Sequence, residues 1–334
     1  MRARHRRRLD GWLVVDKPAG ITSATVVNRV RRAFGAAKAG HGGTLDPLAT
    51  GVLPVAFGAA TKTVPYVMDG AKRYRFTLRW GEARDTDDAD GAVVGISPVR
   101  PGQTEICAAL AAFRGDIMQV PPTFSAVKVG GARAYVLARG GEPQVLAARP
   151  ARVERFELVA LPDTDHAEFE VVSGKGVYMR SLARDLALRL GTFGHVAALR
   201  RLRVGPFTDA EAIPLDKFDA AGDRTAASPD LLLPVATALA DIPALALTAA
   251  EAAVLMRGQA LSLVALMGRI PERANPSGGL LRAMAGGQVL GLGRLGDGWL
   301  KPERLLVPCS PGPLAERVLA GPRTVGRAGQ RIEV

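Results

Sequence analysis

The residues best placed to do chemistry lie between Gly40 and Pro54, where the chain reads Gly-His-Gly-Gly-Thr-Leu-Asp-Pro-Leu-Ala-Thr-Gly-Val-Leu-Pro. Gly40, Gly42 and Gly43 can adopt positive φ or let another backbone come close at little steric cost. Pro47 drives the residue before it, Asp46, toward an extended conformation. Leu45 and Leu48 flank the carboxylate as expected anchors into a core. A single carboxylate held out from a stiff loop suits a nucleophile or a general base. The competing reading is an aspartate that only bonds its own turn. His41 also reads two ways, as a side chain that meets a ligand or as a turn imidazole bonded to backbone.

A second chemical stretch runs from Ser173 to Arg180. Gly174 and Gly176 flank Lys175 just ahead of a helix in which Leu182, Leu186 and Leu190 recur every four residues. A helix start offers free N–H groups to an anion. The Gly-x-x-x-x-Gly-Lys-Ser/Thr spacing of a P-loop is absent, which argues against ATP. The run Asp85 to Gly91 invites a calcium reading but fails it. With Asp85 at position one, Ala89 falls at position five and no glutamate falls at position twelve. An acidic turn between strands is expected instead.

The elements that must position these groups are legible from periodicity. Gly11 to Val15 reads as a strand leading into Asp16-Lys17-Pro18. Lys17 is open to two readings, neutralising a nearby anion or supporting structure. Ser23 is expected to cap a helix carrying Val26, Val27, Val30 and Phe34 at helical spacing and stopped by Gly35. Val52 to Phe57 is a short apolar segment, and a helix is expected from about Thr61 to Met68. Lys72 to Trp80 alternates, with Tyr74, Phe76, Leu78 and Trp80 on one face and Arg73, Arg75, Thr77 and Arg79 on the other. Helices over Thr104–Phe113 and Ala132–Arg139 and strands over Arg152–Leu161 and Ala167–Val172 follow. Beyond Pro243 the texture changes to a helix over Leu247–Arg257 and short strands over Leu261–Leu266, Leu280–Met284 and Val289–Leu292, separated by glycines.

Charge and cysteine usage bound the partners. The 334 residues carry 44 basic and 32 acidic side chains, a net of +12. That excess suits a polyanion, nucleic acid before a membrane surface, and its arginine bias suits bidentate phosphate binding. Cys107 and Cys309 stand far apart with no Cys-x-x-Cys pair, and His5, His41, His166 and His195 show no metal-ligand spacing, so no metal or other cofactor is expected. The basic start lacks the apolar run of a signal peptide. The most apolar stretch, Leu231 to Ala240, is short and contains Pro234. A soluble cytoplasmic protein is expected.

Several of these stretches together resemble the TruB family of bacterial tRNA pseudouridine synthases. Gly40-His41, Gly43-Thr44-Leu45-Asp46-Pro47 and Thr50-Gly51 are similar to the family's catalytic loop, with Gly42 where threonine is more usual. Asp16-Lys17-Pro18, Lys72-Arg73-Tyr74, the Asp85–Gly91 turn, Pro121–Lys128, Ser173–Arg180 and His195–Leu202 match further motifs in order. The resemblance covers roughly 11–215 and, more weakly, 243–307. It implies a mixed α/β pseudouridine synthase domain with a bent sheet and a small C-terminal β-rich, PUA-like domain. The expected division is a basic flexible arm at 1–10, the catalytic domain at 11–217, a linker at 218–242, the RNA-binding domain at 243–307 and a tail at 308–334. The implied reaction is isomerisation of uridine at position 55, in the TΨC arm, after the base is flipped out. Asp46 would be the nucleophile, paired with Arg180, which lies 134 residues later. Tyr74 would pack on the base and assist proton removal. Tyr178 and Leu199 would complete the pocket, His41 would hold the displaced nucleotide and Lys17 would support the site. Affinity for tRNA would then fall with salt, with a log–log slope of about −0.7 to −0.9 per phosphate contact.

Two other functions fit parts of the sequence. A guide-RNA-dependent relative needs partner proteins, and Leu48-Ala49 after Asp46-Pro47 resembles the stand-alone type instead, acting as a monomer with no obligatory protein partner. A catalytically idle tRNA chaperone has no need of Asp46, Tyr74 and Arg180 together.

Overall fold

The computed structural model describes residues 7–218, 227–275 and 278–306. The expected tail at 308–334 and the first six residues of the basic arm lie outside them. Of the arm, Arg7 is already paired: its N–H donates to Gly35 O and its carbonyl accepts from Ala37 N–H, so ordered chain starts ahead of Gly11.

One mixed sheet forms the frame. Its order is Ile213–Pro214, Gly11–Lys17, Thr50–Phe57, Gly194–Val204, Lys72–Trp80, His166–Ser173, Arg149–Ala160 and Gly115–Gln119, with Ala39–His41 added to Thr50–Phe57. The alternation of Lys72–Trp80 is realised in the packing. Phe76, Leu78 and Trp80 are buried with Phe156 and Phe169. The helices Ser23–Ala33 and Met179–Arg189 cover this face through Val26, Val30, Leu182 and Leu186.

Local details depart from expectation. Thr22, not Ser23, caps the first helix, its Oγ1 accepting from Thr25 N–H at 3.1 Å. Ser23 is freed for a contact described below. The segment expected as a helix over Thr61–Met68 is a 3₁₀ turn, Gly58–Lys62, followed by a short helix, Val64–Asp69; Pro65 falls at the second helix's start, where its missing N–H costs nothing. Leu261–Leu266 is strand only at Leu261–Ser262.

The second, smaller sheet runs Ala244–Ala246, Leu280–Ala285, Gln288–Gly296, Trp299–Leu305 and Leu261–Ser262, with its own core of Leu245, Leu255, Leu281 and Leu300. Residues 228–242, within the stretch expected as a linker, pack against the frame. Leu233 and Trp12 exchange N–H to O bonds at 2.8 and 2.7 Å, and Leu239 is buried with Trp12, Val67, Leu292 and Leu306. Their apolar character explains this, since Leu231 to Leu239 would otherwise expose a contiguous apolar run. Tyr66 donates to Glu303 Oε1 at 3.1 Å and Lys62 to Leu305 O at 3.0 Å, joining the two sheets further.

Candidate active site

Asp46 sits in the loop of a hairpin. Ala39–His41 pairs antiparallel with the far end of Thr50–Phe57, with His41 opposite Val55, so residues 42–49 must bulge away. Gly43 takes positive φ there, at 130°, whereas Gly40 and Gly42 do not. Gly42 is needed for space: an added Cβ would stand 2.9 Å from Val67 Cγ1. Leu45 is buried as expected. Leu48 is partly buried and packs against the same core, with Ala49 wholly buried beside it.

Side chains from distant elements hold the loop by its main chain. Ser23 Oγ accepts from Leu45 N–H at 2.9 Å and donates to Leu45 O at 3.1 Å. Lys17, wholly buried, donates to Pro18 O, Pro47 O and Ala49 O at 2.9, 3.0 and 2.6 Å. Burial pulls its ammonium down to about 8, against the opposing pull of Asp46. Its ammonium thus binds main chain in the Asp46 loop and at Pro18. Replacing it by methionine removes a donor from three carbonyls. Lys17→Met should lose about 1–3 kcal/mol of stability, since buried acceptors left unpaired cost that much. A melting temperature within a degree of wild type would contradict this.

Arg180, at the start of the Met179–Arg189 helix, is buried and meets the loop at Asp46. Its Nε lies 2.9 Å from Asp46 Oδ2, off the N–H axis, so the contact is an ion pair rather than a hydrogen bond. Nη1 donates to Thr86 O at 3.0 Å and stands 3.6 Å from Asp88 Oδ2, while Nη2 donates to Phe124 O at 3.1 Å. The acidic turn thus has a task that sequence reading missed. Asp88 is a second, buried carboxylate on Arg180, and Asp87 pairs with Arg184 at 2.9 Å. Asp88 accepts from Thr86 Oγ1 at 2.6 Å and from Asp90 N–H at 3.2 Å. The signal was the run of aspartates at 85, 87, 88 and 90 in one turn, set aside once calcium was excluded.

The other expected residues are placed as follows. Tyr178 is half-buried against Val127, Ala134 and Leu146. Gln119 clamps its backbone, accepting from Tyr178 N–H at 2.8 Å and donating to its carbonyl at 3.1 Å. Burial raises the Tyr178 phenol above its usual range. Tyr74 is half-buried and stands opposite Arg201 across the strand pair. Leu199, buried opposite Phe76, lines a cavity of about 580 Å³ with Leu48, Thr50, Phe76 and Arg75. Asp46, Tyr74, Tyr178 and Arg180 do not line that cavity. Strand alternation sends the neighbouring arginines 200 and 201 to opposite faces. Arg200 forks to Asp16 at 3.0 and 2.9 Å, while Arg201 turns inward on the side of Leu199.

His41 is half-buried and its Nδ1 accepts weakly from Gly43 N–H at 3.4 Å, the turn contact of the two readings. Burial, then Arg201, holds the imidazole below its usual 6.5. The unfolded chain therefore binds this proton more readily than the folded one. The contribution is fully present above 6.5 and is lost as pH falls from there toward the lower folded value. Wild type should lose urea midpoint between pH 7.5 and 5.0 (roughly the window in which an imidazole titrates) by more than His41→Gln does. Parallel losses would refute this.

A mixed-sheet frame carrying a carboxylate–guanidinium pair at its hairpin loop fits a class, the pseudouridine synthases. Residues 31–179 match the TruB family pseudouridylate synthase N-terminal domain, 180–240 the tRNA pseudouridylate synthase B C-terminal domain, and 243–306 the pseudouridine synthase II TruB C-terminal domain. The chain is 67% identical over 306 residues to a tRNA pseudouridine synthase B of Gluconacetobacter diazotrophicus, covering 92% of this chain and all of that one. It is 53% identical to that of Rhodospirillum rubrum, covering 91% and 99%. Among solved structures, a chain of a Cbf5–Nop10–Gar1 complex superposes with a TM-score of 0.68 at 25% identity, covering 90% of this chain and 86% of that one. The chain belongs to the TruB family.

Proposed function

We propose that this protein isomerises uridine to pseudouridine at position 55 of tRNA, with Asp46 as nucleophile. The Asp46–Arg180 ion pair at 2.9 Å carries the reading, because a buried guanidinium fixes the aim of a carboxylate that still reaches solvent. The relatives named tRNA pseudouridine synthase B support the substrate. In the reaction the N1–C1′ bond breaks, the base turns, C5 bonds to C1′, and the C5 proton leaves while N1 gains one. Composition is unchanged, so no co-reactant is consumed. Tyr74 packs on the flipped base and takes part in C5 proton removal. Tyr178 and Leu199 complete the base pocket, and His41 faces the displaced nucleotide. Aromatic rings suit this work, since bases taken from a helix are held by stacking.

The unit at 243–307 and the arginine-rich surface hold tRNA phosphates. The protein works as a monomer in the cytoplasm with no protein partner. Among the described residues no helix is long and apolar enough to cross a membrane.

The test is tritium release from tRNA carrying C5-tritiated uridine, using the purified chain alone. About one tritium per tRNA should reach water, as expected for loss of a single C5 hydrogen in one modified position, and none when the target uridine is replaced by cytidine. Release that needs an added guide RNA or protein would favour the partner-dependent reading. Binding without release would favour the chaperone.

A further inference from the structure

Arg201 is 1% exposed, a charge wholly inside the fold. Its Nε donates to Val52 O at 2.8 Å, Nη1 to Thr44 O at 3.3 Å and Nη2 to Gly43 O at 3.0 Å. Tyr74 stands directly opposite Arg201 on the neighbouring strand; burial weakens the guanidinium's hold on its proton, and Tyr74 and Asp46 oppose that pull. The strand geometry makes this possible. Arg201 pairs with Tyr74 on one side and with Gly51 on the other. Gly51, at φ 97°, admits the crossing, since a Cβ there would fall 2.2 Å from Arg201 O.

Burying a guanidinium carries a large desolvation cost. One side chain nevertheless grips the loop two and three residues before Asp46 with one edge and meets Tyr74 as well. We propose that Arg201 is a positioning residue: it fixes the separation of the Asp46 carboxylate and the Tyr74 hydroxyl, so that both act on one nucleoside. This rests on the reading of Asp46 and Tyr74 given above.

The experiment compares wild type, Arg201→Met and Arg201→Lys in single-turnover tritium release. tRNA affinity is measured by filter binding, and each rate is repeated with 5-deuterouridine tRNA. Arg201→Met should slow turnover about 100-fold, the loss expected when a reacting group shifts by about an ångström. Its affinity should stay within about threefold of wild type, because Arg201 touches no phosphate. The deuterium effect should grow, because a misplaced Tyr74 makes C5–H cleavage slower relative to the other steps. Arg201→Lys, which keeps the charge but not the fork, should fall between the two. Two results would overturn the proposal. One is an Arg201→Met rate close to wild type. The other is a rate that falls in step with affinity and melting temperature while the deuterium effect stays at the wild-type value, which marks Arg201 as fold support alone. If wild type itself releases no tritium, the isomerase reading fails, and that failure is separate from either result.

Discussion

Asp46→Asn should bind tRNA as tightly as wild type and release no measurable tritium. The substitution keeps the size and loop position of the side chain but removes the nucleophilic charge. Losing one essential member of a catalytic group costs about 10⁴-fold or more. Stability should hardly move. The Asp46 side chain is 37% exposed, and ion pairs that reach solvent contribute about 0–1 kcal/mol. Folding is secured instead by Lys17, Ser23 and Arg201, all of which bind main chain and are untouched by the change. Affinity should stay level or tighten slightly, since a negative charge near the RNA is removed. The assay is single-turnover tritium release beside filter binding and thermal melting. A variant that turns over within tenfold of wild type (far short of the loss expected for an essential group) would remove Asp46 from the chemistry.

Arg180→Met is the second large effect, and it differs because it should damage both rate and stability. Arg180 is buried between Asp46 and the buried Asp88. Taking one partner from a buried pair leaves an uncompensated charge and costs about 3–5 kcal/mol. Thr86 O and Phe124 O lose their donor at the same time. Turnover should fall about 10²–10³-fold, the usual loss when a preorganised electrostatic group is removed. The double variant Arg180→Met/Asp88→Asn separates the two contributions. Neutralising Asp88 should restore part of the urea midpoint and none of the rate. If rate recovers along with stability, Arg180 serves the fold and not the reaction.

Sequence reading recovered what depends on local pattern. The strand Lys72–Trp80, the helix from Met179 and the stiff loop around Asp46 follow from alternation, four-residue spacing and glycine–proline punctuation. It could pair Asp46 with Arg180 only by resemblance, because spacing alone does not show which residues 134 apart will meet. It missed groups whose role is set by tertiary placement. Ser23 read as a cap because serines near helix starts usually are, yet Thr22 was one residue better placed, leaving Ser23 to hold Leu45. Arg201 drew no role of its own, because it stands among other arginines. Only the pairing of Gly194–Val204 with Lys72–Trp80 and Thr50–Phe57 shows that alternate members face opposite ways. Asp88 was read correctly as part of a turn, but a turn's side chains acquire partners only when another element arrives, here the Arg180 helix. Residues 228–242 looked like a connector because they lack period, although their leucines bury against Trp12.

The way the Asp46 loop is held has a consequence for transplanting it. Lys17, Ser23 and Arg201 grip carbonyls and an N–H, which any residue would present, so the loop's shape is written largely outside the loop. The grips come from 32, 22 and 158 residues away along the chain. Moved alone onto another hairpin, Gly40 to Pro54 would carry the carboxylate but not its aim. A scaffold built to reuse it must bring along a lysine, a serine and a buried arginine from three separate elements.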